Sequence, residues 1–159
     1  MNMGKFLAGF LVITALAMGF GLYYTAEVAY FEEVSADAPE AEMRMVSVAT
    51  GTPEPILTEN VTAIDRDTSP ISFRACFTTP MSLAMLTETY EVKEDAVPLN
   101  GPRMFDCFDA AAVGAALETG EAIAFLGERD IREGVDRVIA VFPDGRGYAW
   151  HQRNEKLED

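Results

Sequence analysis

The residues of this 159-residue chain whose types could do chemistry are two cysteines, eight methionines, one histidine and a surplus of carboxylates. Cys76 falls on an expected strand and Cys107 just before an expected helix cap. Both lie in the part read as outside the cytoplasm, where thiols oxidise, so a structural Cys76–Cys107 disulfide is expected. Closing a loop of about 30 residues is worth roughly 3 to 4 kcal/mol on chain-entropy reasoning. There is no Cys-x-x-Cys, which argues against a redox-active pair. Met81 and Met85, four apart on an expected short helix near Cys76, are thioethers of the kind that suit Cu(I), and Met43, Met45 and Met104 add more. Methionines at helical spacing also fill irregular gaps in a core, and that is the plainer use of them.

His151, the single histidine, rules out any two-histidine metal site. Beside Trp150 on an expected strand, it reads as a packed or solvent-facing imidazole. Asp65 with Asp67, and Asp106 with Asp109, are acidic pairs that could meet Ca²⁺, but neither has the ligand cadence of an EF-hand loop. Turn and helix-cap roles account for both. No phosphate-binding loop, dinucleotide fingerprint, nucleophile elbow or HExxH occurs, so the reading is non-catalytic, with no metal and no cofactor.

These side chains need elements to hold them. MRMVSVAT, from Met43, alternates like a half-buried strand and stops at Gly51-Thr52-Pro53-Glu54-Pro55. ISFRACFT, from Ile71, is a second strand, entered through the turn-like run Asp65 to Pro70. Thr79 and Pro80 have the look of an N-cap and first position for a short helix through PMSLAML, and TYEV reads as a further strand. Asp109 can cap AAAVGAALE, with Gly120 closing that helix and EAIAFLG following as a buried strand. VDRVIAVF and RGYAWHQR flank Pro143-Asp144-Gly145, a hairpin signal. Four to six strands and two short helices make an antiparallel α+β domain over 43–154, followed by a charged tail at 155–159.

Ahead of the domain, no charge interrupts Phe6 to Tyr24, a run long enough at about 1.5 Å per residue to cross roughly 30 Å of hydrocarbon. The rival is a cleaved signal peptide with Ala15-Leu16-Ala17 as its site, but the apolar run continues through Met18, Phe20 and Leu22. A transmembrane anchor with its helical extension over 1–34, then an acidic tether at 35–42, is the expected arrangement. Lys5 precedes the span, and only acidic residues follow it until Arg44, so the amino terminus is read as cytoplasmic and the domain as periplasmic, in a bacterial inner membrane. Tyr23, Tyr24, Tyr30 and Phe31 suit the membrane interface. Ala15 with Gly19, and Ala17 with Gly21, are small residues four apart that would let another helix approach, although ordinary small-residue content yields such pairs too.

Beyond Tyr24 stand 26 acidic residues against 11 Lys and Arg, a net −15 on the tethered part. That charge repels nucleic acid and anionic lipid and attracts basic partners, a basic soluble electron carrier such as a cytochrome c among them; plain solubility explains it as well.

SPISFRACFTTPMSLAMLTETY, FDCFDAAAVGAALETGEAIAFL and DRVIAVFPDGRGYAWHQ, behind a short N-terminal anchor, resemble a domain-of-unknown-function family of small alphaproteobacterial membrane proteins. The resemblance covers nearly the whole chain and implies a Gram-negative inner-membrane location with a periplasmic domain; it carries no activity or ligand. The histidine-kinase label attached to some members does not suit a chain this short, whose one histidine lies on an expected periplasmic strand. The expected role is a non-catalytic accessory or scaffold subunit of an integral-membrane complex, respiratory or photosynthetic. The alternatives are an assembly factor binding copper through Met81, Met85 and Cys76, or a periplasmic domain of unknown role.

Overall fold

In a computed structural model describing residues 2–157, the chain begins with an apolar helix, α1 (Met3–Glu27), none of whose residues is buried. Among the described residues it is the one helix long and apolar enough to cross a membrane. It stops short of the expected extension to residue 34. The N–H groups of Val28 and Ala29 both close on the Tyr24 carbonyl, and Tyr30 takes a left-handed φ of 75°, a conformation that ends helices. Phe31 then packs under the Arg66 guanidinium, and Glu32–Val34 (β1) enters the main sheet instead.

Two further strands, β2 (Arg44–Val46) and β3 (Pro53–Pro55), pair as a separate ribbon around the expected Gly51 turn. β4 (Glu59–Asp65) and β5 (Arg74–Thr78) form a hairpin. Helices α2 (Leu83–Thr89) and α3 (Ala110–Thr119) come next, followed by the meander of β6 (Ile123–Arg132), β7 (Val135–Val141) and β8 (Arg146–Arg153). The main sheet is antiparallel throughout, in the order β1-β4-β5-β8-β7-β6. The architecture is the expected α+β, with three α-helices among the described residues, although the eight strands among them exceed the four to six read from sequence.

Side chains alternate across the sheet, and each face is covered. Phe73, Ala75, Phe77, Phe125, Ile139 and Ala149 meet Met43 and Met45 of the ribbon and Leu86 of α2 on one side. Ala124, Val138, Ala140 and Trp150 meet Phe108 and the Ala110, Val113 and Ala116 face of α3 on the other. Gly147 is required where it stands: a Cβ there would lie 2.2 Å from the Phe77 ring, which crosses β8 at that point. The short run Glu91 to Lys93 hydrogen-bonds to Val46 on one side and to Ala124 and Leu126 on the other, so the expected TYEV strand is reduced to isolated bridges at Tyr90 and Val92 that join ribbon to sheet.

Asp109 caps α3 by accepting from the Ala112 N–H, and Gly120 ends it with φ 74°, both as expected. The α2 cap is Ser82, not Thr79. Thr79 is occupied elsewhere: its hydroxyl donates to the Leu57 carbonyl and accepts from the Met81 N–H. The expected tether is also structured. A 3-10 turn spans Pro39–Ala41, with Ala41 buried. Of the expected tail, Glu155–Leu157 forms a second 3-10 turn with Lys156 paired to Asp130, while 158 and 159, like residue 1, lie outside the described residues.

Cys76 on β5 and Cys107 in the loop before α3 are joined as a disulfide, with Cα atoms 6.4 Å apart. It ties that loop to the sheet. Reduction should lower the unfolding free energy by roughly 3 to 4 kcal/mol in denaturant titrations, and denatured, unreduced protein should bind no thiol label. Two labelled thiols before reduction would remove the bridge.

Candidate functional site

All seven residues of β7 are buried, yet Asp136 and Arg137 sit among its valines. A charge in such a strand must be matched by polar partners or it is costly. Arg137 projects on the ribbon side of the sheet, in step with Ile139 and Val141. Its Nε donates to His151 Nε2 at 3.1 Å, and its Nη1 donates to the carbonyls of Glu40 at 3.0 Å and Glu42 at 3.4 Å. The guanidinium lies 4.0 Å from the Phe73 ring centroid, and the same ring stacks on the His151 imidazole.

The arginine fixes the histidine's protonation. A guanidinium nitrogen can only donate, so Nε2 must accept, and the proton sits on Nδ1, which donates to the Pro70 carbonyl at 3.1 Å. Burial, together with the adjacent Arg137 charge, pushes the His151 pKa down to about 3. Burial likewise lowers Arg137 to about 10, opposed by the field of Glu128. With both ring nitrogens engaged and its basicity suppressed, the imidazole is a poor general base near neutral pH.

Other buried polar side chains repeat the pattern. Arg74 donates to the carbonyls of Leu99, Asn100, Ile71 and Phe73, with its pKa lowered to about 10 by burial. Gln152 accepts from the Val97 and Trp150 N–H groups and donates to the Asp95 carbonyl. Asp136 accepts from the Asp130 N–H and from Asn154. Arg74 and Gln152 thereby hold irregular segments, and Asp136 holds the irregular end of β6 and Asn154.

The candidates from sequence are dispersed. Cys76, bonded to Cys107, offers no thiolate to a metal. Met81 packs against the core, Met85 is exposed, Met43 and Met45 are buried, and Met104 is exposed. Asp65 serves a turn by accepting from Ser72 Oγ and the Arg66 N–H, and it pairs with Arg132. Among the described residues no group of three or more His, Cys, Asp or Glu side chains is placed to hold a metal. Ala15, Ala17, Gly19 and Gly21 lie exposed on α1, with open space around both glycines.

Of the residues gathered around His151, Arg137 and Phe73 were not singled out from sequence, and neither was Arg74, which packs on Phe108 on the other face of the sheet. The available signal was an Asp-Arg pair inside an otherwise apolar strand.

Residues 43–159 match a family of unknown function, DUF6446. The chain belongs to DUF6446. No curated protein and no solved structure matches it. The DUF6446 region starts at Met43, so α1, β1 and the Glu40 and Glu42 carbonyls precede it. Arg137, inside DUF6446, therefore reaches out to hold the segment that leads from the helix.

A single histidine makes the protonation directly readable. The Nε2 ¹⁵N resonance of untagged protein should keep the shift of an unprotonated nitrogen down to pH 5. Because the folded pKa lies below the unfolded value of about 6.5, stability should be constant above that pH and fall as the pH drops toward 3. Titration of the ring near pH 6.5 in the folded protein would contradict the buried Arg137–His151 bond.

Proposed function

We propose that this DUF6446 protein is a non-catalytic, single-pass accessory or scaffold subunit of an integral-membrane complex in a bacterial inner membrane, with its folded domain on the periplasmic side. The observation that carries this reading is the charge asymmetry about α1: Lys5 before the helix, and −15 on the part that follows Tyr24. By the positive-inside rule that asymmetry favours a cytoplasmic amino terminus. A disulfide in the domain is compatible with an oxidising compartment.

An acidic domain held at a membrane draws basic partners toward it, and a respiratory or photosynthetic electron-transfer complex with a basic soluble carrier is a partner of that kind. Lipid surrounds the apolar helix in this reading, and nucleic acid has no part in it. The arrangement around His151 supports a structural role for the one residue that could have done proton transfer. Binding of copper by an assembly factor would have to rely on Met81 and Met85 without Cys76.

Two measurements test the proposal. Alkaline phosphatase fused at the carboxy terminus, which needs an oxidising compartment to fold, should be active, and an inactive fusion at normal abundance would reverse the topology. Gentle-detergent purification of full-length protein from native membranes should bring down a stoichiometric set of subunits from one complex. Recovery of the protein alone would remove the scaffold role.

A further inference from the structure

Two buried arginines on the sheet differ in one respect. Arg74 has an acceptor at every guanidinium nitrogen. Arg137, only 5% exposed, spends Nε and Nη1 on His151 and the Glu40 and Glu42 carbonyls, but among the described residues Nη2 has no acceptor. No carboxylate of the described residues lies within 4.0 Å of it as an ion pair. Nor is Nη2 sealed in, since among the described residues the one fully enclosed side-chain nitrogen or oxygen without a partner is Arg66 Nε. Arg137 and His151 line a cleft of ≈ 470 Å³ between the 39–44 segment and the end of β6. The structure thus holds a buried cation without a counter-ion, opening through one amino group onto a ligand-sized space. Carbonyls and the Phe73 ring meet the rest of the guanidinium, and an anion's oxygen would supply the acceptor that Nη2 lacks.

The remaining charges on the cleft constrain that anion. Glu42 is paired with Arg44 and Asp65 with Arg132, so those four are satisfied among themselves. Glu40 and Glu128 line the same space, and neither has an ion-pair partner among the described residues. A simple anion seated at Arg137 would face two uncompensated carboxylates. A ligand with a negative and a positive group would satisfy both sides.

We infer that this cleft binds a small zwitterion of amino-acid size, its carboxylate accepting from Arg137 Nη2 and its ammonium group held by Glu128 and Glu40. The ligand's anion then supplies the counter-ion that the sheet does not. The inference does not depend on the membrane complex proposed above, because it concerns a soluble ligand and the folded domain's own groups.

The test is calorimetric titration of full-length protein in a non-ionic detergent with the standard L-amino acids, one at a time. At least one should bind saturably. Its analogues lacking the amino or the carboxyl group should each bind at least about tenfold more weakly. Because Arg137 also holds the 40–42 segment, its replacement could unfold the domain. The variant of choice is Glu128→Gln, which should weaken binding about tenfold with no change in Tm, while the His151 ring resonances report occupancy next door. Absence of saturable binding by every amino acid, equal binding of the deaminated analogue, or unchanged affinity in Glu128→Gln would each overturn the site.

Discussion

The carbonyl oxygens of Glu40, Pro70, Asp95 and Leu99 lie in irregular stretches that run over the sheet, where no neighbouring strand supplies an N–H. Everything between β1 and β2, and between α2 and α3, depends on how such groups are satisfied. The chain answers with side chains projecting from the sheet itself. Arg137, His151, Arg74 and Gln152 each reach out of a packed strand to a particular carbonyl. Hydrogen bonds of this kind contribute only modestly on balance, but leaving a buried partner unmatched is costly, and that asymmetry fixes the loops in place.

This explains an apparent contradiction in composition. The molecule is strongly acidic, yet the charged side chains most deeply set into its sheet include two arginines, each short of a carboxylate partner. Carbonyl dipoles and aromatic faces do the neutralising instead, with Phe73 under Arg137 and Phe108 under Arg74. Acidic side chains stay mostly outside, where water solvates them. Burial lowers both arginine pKa values only to about 10, so both groups remain charged under ordinary conditions.

How far the sequence foretold this varied with the range of the interactions. The α3 helix was legible because its signals are local, an aspartate accepting from an N–H three residues on and a glycine taking positive φ. The 135–153 hairpin and the apolar α1 were legible for the same reason. β4 escaped notice because Glu59-Asn60-Val61-Thr62 has little alternation and carries a bulge, with Asn60 at φ 53°; its pairing with β5 makes it a strand. β1 escaped because Glu32 and Glu33 look helical in isolation. The Arg137 site was the least visible. Its members come from Phe73 just ahead of β5, from β7 and β8, and from the 40–42 segment, and only tertiary packing brings them together.

Between the end of α1 and the first paired residue of the sheet there are four residues, Val28 to Phe31, and Phe31 is already clasped by Arg66. So short a connection limits how far the helix can turn independently of the sheet. An α-helix advances about 100° in azimuth per residue, so the helix length sets the compass bearing of the sheet as seen down the helix axis. Removing one residue from α1 would swing the Gly19 and Gly21 side by more than a quarter turn relative to the folded head. The length of the helix therefore biases which flank of the sheet stands above its small-residue side.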